Sequence, residues 1–294
     1  GRVTDGLGPE TEQPNSSMNQ MLVNLDIVIG EGNPGAIALR HQAAEGSAVE
    51  ECTIDATHGL IGLQGGIGSG GGSAGVTVIG GRIGMDFTGY LSGTQPTPTI
   101  TGFTLSGQTE AAIRSTSRQT LVASGLKISS DRCAGPLIRV DAGAGANLGQ
   151  LSIVDGEIAF GGVAPEKPDR VAIASGAGVY LRNVFVRGAT KVVSDGGGTS
   201  DLAGRPGGWL HVREYAATAR PRQNQGVEYR YPVYVDGRVV DGVCDVRPDV
   251  PPPADLQTRH LWPAGFPGFE SPGALNVKSA PFLAKGDGLA DDDE

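Results

Sequence analysis

The chain is poor in cysteine, in aromatic residues and in long apolar runs. It contains only three cysteines, Cys52, Cys133 and Cys244, which lie far apart in the sequence. This odd number and wide spacing exclude a disulfide framework and a Cys-x-x-Cys metal site. Aromatic residues make up 5% of the 294 residues. No apolar run approaches the roughly 18 residues that would span a bilayer.

Basic residues are also scarce, with 23 Lys and Arg against 32 Asp and Glu, which gives a formal charge of -9. Because no basic block stands out, nucleic acid and anionic membranes are disfavoured as partners. The chain is instead rich in glycine, with 48 residues. Together with abundant Val, Ile, Thr and Ser, this disfavours long helices and favours short strands joined by tight turns. The composition therefore predicts an all-β fold.

Short apolar-polar-apolar triplets recur at intervals of about 25 residues. They begin at Leu25, Cys52, Val76, Phe103, Leu126, Leu151 and Val184. A second short apolar segment follows each triplet after a turn rich in Gly, Asn, Asp or Ser. A repeat of this length without helical periodicity is typical of one rung of a β-solenoid. We predict a right-handed parallel β-helix of about seven rungs of about 25 residues.

After residue 205 the repeat is lost, and aromatic residues and arginines become more frequent. The segment "YPVYVDGRVVDG" predicts a β-hairpin with Asp236 and Gly237 in its turn. The following segment, up to about residue 273, is rich in proline and predicts an extended linker. The predicted parts are thus a solenoid over 1–205, a β appendage with a linker over 206–273, and a separate segment over 274–294.

Two stretches resemble known families. The tail "NVKSAPFLAKGDGLADDD" resembles the opening motif of the pectate-lyase-like β-helix superfamily, a strand followed by A-K-G-D-G and D-D. The resemblance implies that Lys285 to Gly288 form a turn and that Asp291 or Asp292 caps a helix, although Asp293 replaces the usual Thr. Residues 15–115, including "GGRIGM", are similar to the first β-helix of glycoside hydrolase family 55, the tandem β-helix exo-β-1,3-glucanases.

This second resemblance implies that residues 1–205 form a first β-helix, that 206–273 cross over, and that 274–294 begin a second β-helix. The substrate cleft would lie between the two helices, and the general acid would lie beyond Glu294. Where the family has a Gly-Asn-Gln-Gln stretch, this chain has "TGYLSGTQPTPT", so that only Gln95 is carried over as a substrate contact.

Alternation along the second segments predicts which side chains face outward. If Ile37, Ile61, Ile83, Ile113, Ile138 and Ile158 face in, one external column contains Ala38, Gly62, Gly84, Ala112, Arg139 and Ala159. Beside this flat column we expect Gln64, Asp86 and Arg114 in line, about 4.8 Å apart. Such a platform suits a polysaccharide, and an ordinary solvated sheet face remains the alternative.

Glycoside hydrolysis normally requires two carboxylates. The candidates are Asp86 on the predicted platform and the pair Asp155 and Glu157, which would share one face of a strand. In "WLHVREY", alternation places Trp209, His211, Arg213 and Tyr215 on one face, where Trp209 could stack on a sugar or pack against the solenoid. The four histidines have no metal spacing and are expected to be structural or exposed.

The sequence therefore predicts the N-terminal half of a secreted or periplasmic polysaccharide-degrading glycoside hydrolase, which forms one wall of a carbohydrate cleft. The expected substrate-binding residues are Gln64, Asp86, Gln95, Arg114, Arg139 and Trp209. The expected partners are a polysaccharide and a second β-helix domain, without a metal or cofactor. The alternatives are a pectate-lyase-like or polygalacturonase-like enzyme and a non-catalytic structural or adhesion β-helix, which the low aromatic content favours.

Overall fold

The computed structural model describes most of the chain in separate ranges. These are residues 18–66, 71–88, 98–115, 120–141, 150–162, 169–195, 201–217, 222–224, 227–229, 233–261, 271–272 and 274–289. The chain divides into two compact units, residues 1–261 and 262–294. Among the described residues no helix is long and apolar enough to cross a membrane.

Short strands dominate the described residues. From the N-terminus they are β1 (Met21–Val23), β2 (Asp26–Val28), β3 (Ile37–Arg40), β4 (Ala48–Glu50), β5 (Thr53–Asp55), β6 (Ile61–Gln64), β7 (Ser73–Ala74), β8 (Thr77–Ile79), β9 (Ile83–Phe87), β10 (Thr99–Thr101), β11 (Thr104–Ser106) and β12 (Ala111–Ser115). The longer strands that follow are β13 (Leu121–Ser130), β15 (Leu151–Phe160), β17 (Val179–Arg187) and β20 (Trp209–Ala217).

The remaining strands complete the sheets and the hairpins. They are β14 (Ile138–Val140), β16 (Val171–Ser175), β18 (Lys191–Ser194), β19 (Leu202–Ala203), β21 (Arg222–Asn224), β22 (Val227–Tyr229), β23 (Val233–Val235), β24 (Arg238–Val240) and β25 (Gly242–Pro248). A 3-10 helix at Thr258–His260 is the one helix assigned in the described ranges.

The strands form a parallel β-solenoid in which each rung adds one strand to each of three columns. The first column contains β1, β4, β7, β10 and the first halves of β13, β15 and β17. The second contains β2, β5, β8, β11 and the second halves of the same three strands. The third contains β3, β6, β9, β12, β14, β16 and β18. The predicted all-β parallel solenoid is confirmed.

The number of turns is smaller than predicted. About five turns form the regular solenoid, in place of about seven. The rungs that begin at β4, β7, β10, β13 and β15 have a parallel neighbour on both sides in every column. Among the described strands, the rung of β1 to β3 has a neighbour on one side, and the rung of β17 and β18 pairs with antiparallel strands on its outer side. These two rungs are therefore the outermost rungs of the described solenoid.

One residue in each rung bends the chain between the first and second columns. This bend row has positive φ throughout and consists of Asn24, Glu51, Gly75, Gly102, Gly125, Asp155 and Asn183. Left-handed backbone is strained for most residues, and Gly, Asn and Asp adopt it most readily. Glu51 is the exception to that preference in this row. Because the same bend recurs in every rung, successive strands remain in register on both sides of it.

The apolar residues of the triplets fill the interior. In the second column the inward residues Ile54, Val78, Leu105, Ile128 and Ile158 are all fully buried. They stack with Val186 and with matching residues of the other columns in one continuous core. Cys52 also lies in this core, as expected of a small apolar residue.

The sequence repeat was misplaced at one rung. Gly156 pairs with Leu126 and with Val184, so that Gly156-Glu157-Ile158 is the true member of the triplet series. The predicted triplet at Leu151 belongs instead to the first column. It has the same pattern because it forms the first half of the same ten-residue strand, β15.

An antiparallel strand covers the last rung. Strand β20 pairs with β17, and β25 pairs with β20. The predicted alternation in "WLHVREY" was wrong at its end, because a register shift between Val212 and Glu214 turns Tyr215 inward. Tyr215 therefore packs in the core with Leu210 and Val212. Burial raises the pKa of Tyr215 to about 12.

The predicted hairpin is present, with β23 and β24 joined by Asp236 and Gly237, both at positive φ. In the second unit, residues 274–289 form turns and bends without a strand. The strand predicted there was therefore wrong, and Leu275 is 77% exposed. The start of a second β-helix stays a prediction.

We expect truncation of a stacked triplet residue to destabilise the solenoid strongly. Ile54 is fully buried, whereas Ile79 on the next rung is 38% exposed. Ile54→Ala should lower the free energy of unfolding by about 2–5 kcal/mol, because it leaves a cavity. The matched control Ile79→Ala should lower the free energy of unfolding by well under half that amount. Equal losses of stability in denaturant unfolding would contradict this account of the core.

His41 should make the fold sensitive to acid. Its side chain is buried beside a small, partly open cavity of about 20 Å³, and its Nε2 atom has no hydrogen-bond partner. Burial lowers the pKa of His41 below 6.5. The unfolded chain then binds a proton more readily than the folded one, so stability falls as pH drops below about 6.5.

The slope should be at most about 1.4 kcal/mol per pH unit for this one group. Unfolding measured between pH 7 and pH 5 should show a shallower loss for His41→Gln than for the parent. The exposed His58 provides the control, and His58→Gln should keep the parent slope. A His41→Gln variant with the parent slope would contradict the assignment.

Candidate functional site

The predicted polar platform lies on the outer side of the third column. Gln64 pairs in register with Asp86, and Asp86 with Arg114, as expected. The row extends further than predicted, because Arg40 pairs with Gln64 at one end and Arg139 with Arg114 at the other. These five residues, the outer row, follow one another at the ~4.8 Å spacing of paired strands.

The predicted column of small external residues was wrong. Ala112 is fully buried, and Gly62 and Gly84 are buried as well. A Cβ atom on Gly62 would lie 2.4 Å from the Val78 side chain, and one on Gly84 would lie 2.6 Å from the Ala112 carbonyl oxygen. The residues are small because other strands approach them closely. Arg139 belongs to the outer row, and Ala159 lies in β15 of the second column.

Asp86 anchors the outer row and is 2% exposed. Its carboxylate accepts hydrogen bonds from the Thr88 backbone N–H at 3.0 Å and the Thr88 hydroxyl at 2.6 Å. The other oxygen accepts from Arg114 Nη2 at 2.9 Å. The Glu110 carboxylate lies 2.9 Å from Arg82 Nη2 and 3.7 Å from Arg114 Nη1. Asp86 thus orients Arg114, and its own carboxylate is already engaged.

The other members of the outer row are more exposed than Asp86. Gln64 is partly exposed and Arg40 is exposed. Arg139 is exposed too and donates to Asp141 at 2.9–3.0 Å. Gln95 lies outside the described residues. Whether the outer row contacts a substrate stays a prediction.

A second polar cluster lies at the bend row on a different side of the solenoid. Asp155 and Asn183 occupy successive bends, and Asn183 Nδ2 donates a hydrogen bond to Asp155 Oδ1. His211 Nε2 lies 2.8 Å from Asn183 Oδ1, and His260 Nε2 lies 2.7 Å from Asp155 Oδ2. These four side chains, the bend cluster, form one hydrogen-bonded chain.

The surroundings of His211 favour its neutral form. Its ring stacks on Phe185 with the centroids 4.1 Å apart and the planes 6° from parallel. Burial lowers the pKa of His211, and the positive charges of Arg213 and Arg247 lower it further. Neutral His211 can carry its proton on Nε2 and donate a hydrogen bond to Asn183 Oδ1. The Asn183 NH₂ group then faces Asp155.

A chain segment far from the bends completes the cluster. Residues 255–261 run across several bends and are called the strap. The side chain of Leu256 in the strap is buried. Gln257 Nε2 donates to the Gly102 carbonyl oxygen at 3.1 Å and to the Thr104 hydroxyl at 2.6 Å. Two of the bends beneath the strap, Gly102 and Gly125, are glycines for a steric reason as well as for their φ. A Cβ atom on Gly125 would lie 2.8 Å from the Gln257 carbonyl oxygen.

Of the predicted catalytic pair, Asp155 belongs to the bend cluster and Glu157 lies two residues further along β15. Glu157 is paired in register with Lys127, and their charged groups are 3.3 Å apart. Asp155 lies 3.8 Å from the Arg259 guanidinium as well as contacting His260. Trp209 is on the same outer side, where Arg187 lies over its ring at 5.1 Å.

The sequence identified Asp155, Glu157 and Trp209 as candidates and placed His211 on the face of Trp209. It did not indicate that Asn183 and His260 are neighbours of Asp155. His260 is 105 residues from Asp155, and no repeat extends into the strap. In the sequence, the one indication that Asn183 belongs to this cluster is that Asn or Asp recurs at the bend position. In the part of the chain that the structure describes, no group of three or more His, Cys, Asp or Glu side chains could hold a metal ion.

Comparison with known proteins gives no match to a family model, to a curated protein or to a solved structure. The resemblance to glycoside hydrolase family 55 therefore rests on the residues quoted above and on the β-solenoid fold.

We expect Gly125→Ala to detach the strap. Gly125 and Gly162 both have positive φ, but a Cβ atom on Gly162 would meet nothing within 4 Å. The control Gly162→Ala should therefore cost only the backbone strain, about 1–2 kcal/mol. Gly125→Ala should cost a further ~1–3 kcal/mol, because the added methyl group collides with the strap.

Trypsin cleavage after Arg259 provides the measurement. Gly125→Ala should be cut there faster than the parent and Gly162→Ala under native conditions. Equal cleavage rates for all three proteins would contradict the docking of the strap.

Proposed function

We propose that this chain is the N-terminal β-helix of a secreted polysaccharide-degrading glycoside hydrolase and forms one wall of a carbohydrate cleft. The observation that carries the proposal is the outer row, in which polar side chains stand in register on five consecutive rungs. A parallel sheet repeats its outward groups at ~4.8 Å, so it offers a polymer with many hydroxyls several donors and acceptors in line.

The charges of the row favour a glycan with neutral sugars over a strongly anionic polymer. Arg114 is paired with Asp86, and Arg139 with Asp141. These pairs keep the guanidinium groups in place while leaving little net positive charge. The whole chain carries a formal charge of -9, which also disfavours a polyanion.

In this proposal the general acid lies on a second β-helix domain outside the chain. The chain alone should then bind a glycan without cleaving it. A lyase-like or polygalacturonase-like enzyme would instead prefer a polyuronate, and a structural β-helix would bind neither polymer.

Affinity electrophoresis in gels that contain a β-1,3-glucan or polygalacturonate tests the proposal. The glucan should retard the chain, and Arg139→Ala and Gln64→Ala should each weaken retardation about 2–10-fold, the effect of one lost hydrogen bond. Arg132→Ala is the matched control, since Arg132 is 78% exposed and lies outside the row. It should migrate like the parent.

Three outcomes would contradict the proposal. The first is that neither polymer retards the chain, and the second is that polygalacturonate retards it more than the glucan does. The third is that Arg139→Ala and Arg132→Ala bind the glucan equally well.

A further inference from the structure

The bend cluster contains an arrangement that the proposed glycan wall does not use. His260 Nε2 lies 2.7 Å from Asp155 Oδ2, and the His260 side chain is 24% exposed. Asn183 and Arg259 contact the same carboxylate from other directions. Asp155 is therefore fixed on several sides, while the His260 side chain remains partly exposed to solvent.

The hydrogen bond decides which nitrogen of neutral His260 is a base. An ionised carboxylate only accepts hydrogen bonds, so Nε2 must carry the proton that it donates to Asp155. Nδ1 is then left with a free lone pair. A carboxylate in this position holds the ring in one tautomer and stabilises the imidazolium that forms when Nδ1 takes up a proton.

Two cationic side chains lie on the same side of the solenoid as this base. Lys127 lies two residues beyond Gly125 on its strand, and its side chain is 44% exposed. A Cβ atom on Gly125 would lie 3.0 Å from His260 Cδ2, which places the ring over the bend that precedes Lys127. Arg259 precedes His260 in the strap. These groups can stabilise negative charge on an oxygen atom close to the imidazole.

The cluster lacks the acid that glycoside hydrolysis needs. Glu157 is paired with Lys127, and Asp155 with His260 and Arg259. Both carboxylates are thus engaged by cations or by His260, and neither is placed as a free acid for a leaving sugar oxygen. A base next to cations fits attack on a carbonyl group better than cleavage of an acetal.

We propose that His260 is the catalytic base of a second site, which hydrolyses carboxylic esters such as an acylated sugar hydroxyl, and that Asp155 is its positioning residue. Nδ1 takes a proton from water as the water oxygen bonds to the ester carbonyl carbon. The carbonyl oxygen becomes an oxyanion beside Lys127 or Arg259. Collapse of this intermediate breaks the bond to the alcohol oxygen, which receives the proton from the imidazolium. The products are a carboxylic acid and an alcohol, and no co-reactant other than water is consumed.

This site is independent of the outer row, which lies on the third column. Loss of glycan binding would leave the ester hydrolysis unaffected, and the reverse also holds. The two proposals can therefore fail separately.

Hydrolysis of p-nitrophenyl acetate by the complete 294-residue chain tests the inference. The parent should exceed an equal concentration of free imidazole by about 100-fold, the lower range of general-base catalysis by a positioned group. His260→Gln keeps an N–H donor for Asp155, and with it the strap contact, but removes the base. It should lose nearly all of the catalysed rate. Asp155→Asn should lose most of it, whereas the exposed control His58→Gln should match the parent.

Chemical rescue separates a base from a structural anchor. Added imidazole should restore activity to His260→Ala, which has space for it, but should not restore activity to Asp155→Asn. The inference would be overturned by a parent rate no greater than that of free imidazole. A His260→Gln rate equal to that of His58→Gln would overturn it too, provided that both variants melt like the parent.

Discussion

The whole solenoid depends on one residue per rung that is held at positive φ between the first and second columns. This bend lets two strands of a rung follow each other at an angle without breaking the parallel pairing with the rungs on either side. Most L-residues resist this conformation, so the positions are occupied mainly by Gly, Asn and Asp. The structural requirement therefore places short polar side chains on consecutive rungs, where they are close enough to bond to one another. Asp155 and Asn183 meet for this reason, and the glycines at neighbouring bends leave the space in which the strap lies.

The parallel register has a second consequence, which is to put side chains into rows. A residue on the outer face stands next to its equivalents on adjacent rungs, whatever their separation in sequence. Opposite charges in such a row neutralise each other, as Asp86 and Arg114 do. Arg114 and Arg139 are like charges on adjacent rungs, and the carboxylates of Glu110 and Asp141 beside the row offset their repulsion. The two candidate sites differ in this respect. The outer row offers fixed donors for a long ligand, whereas the bend cluster concentrates a base and cations at one point.

Much of the fold could be predicted because it repeats. The triplets predicted the buried stack that contains Ile54, Leu105 and Ile128. The hairpin of β23 and β24 was predicted from Asp236-Gly237, because its turn requires positive φ at both positions. Errors occurred where local pattern and pairing disagree. Leu151 has the right pattern but lies in the first column, and Tyr215 turns inward because of a register shift in the pairing of β20. Gly62 and Ala112 alternate with core residues and are nevertheless buried, because other strands approach them closely.

The period, the all-β architecture and the alignment of Gln64, Asp86 and Arg114 could be read from the sequence alone. Each of these follows from local alternation and from spacing, which are properties of neighbouring residues. Only the tertiary structure decided that His260 and His211 join the chain of polar groups at Asp155 and Asn183. The strap has no repeat and no periodicity of its own. Its position is fixed by its fit over Gly102 and Gly125 and by hydrogen bonds to residues about 100 to 155 positions away. Contacts of that kind depend on shape complementarity between distant segments, which local pattern does not encode.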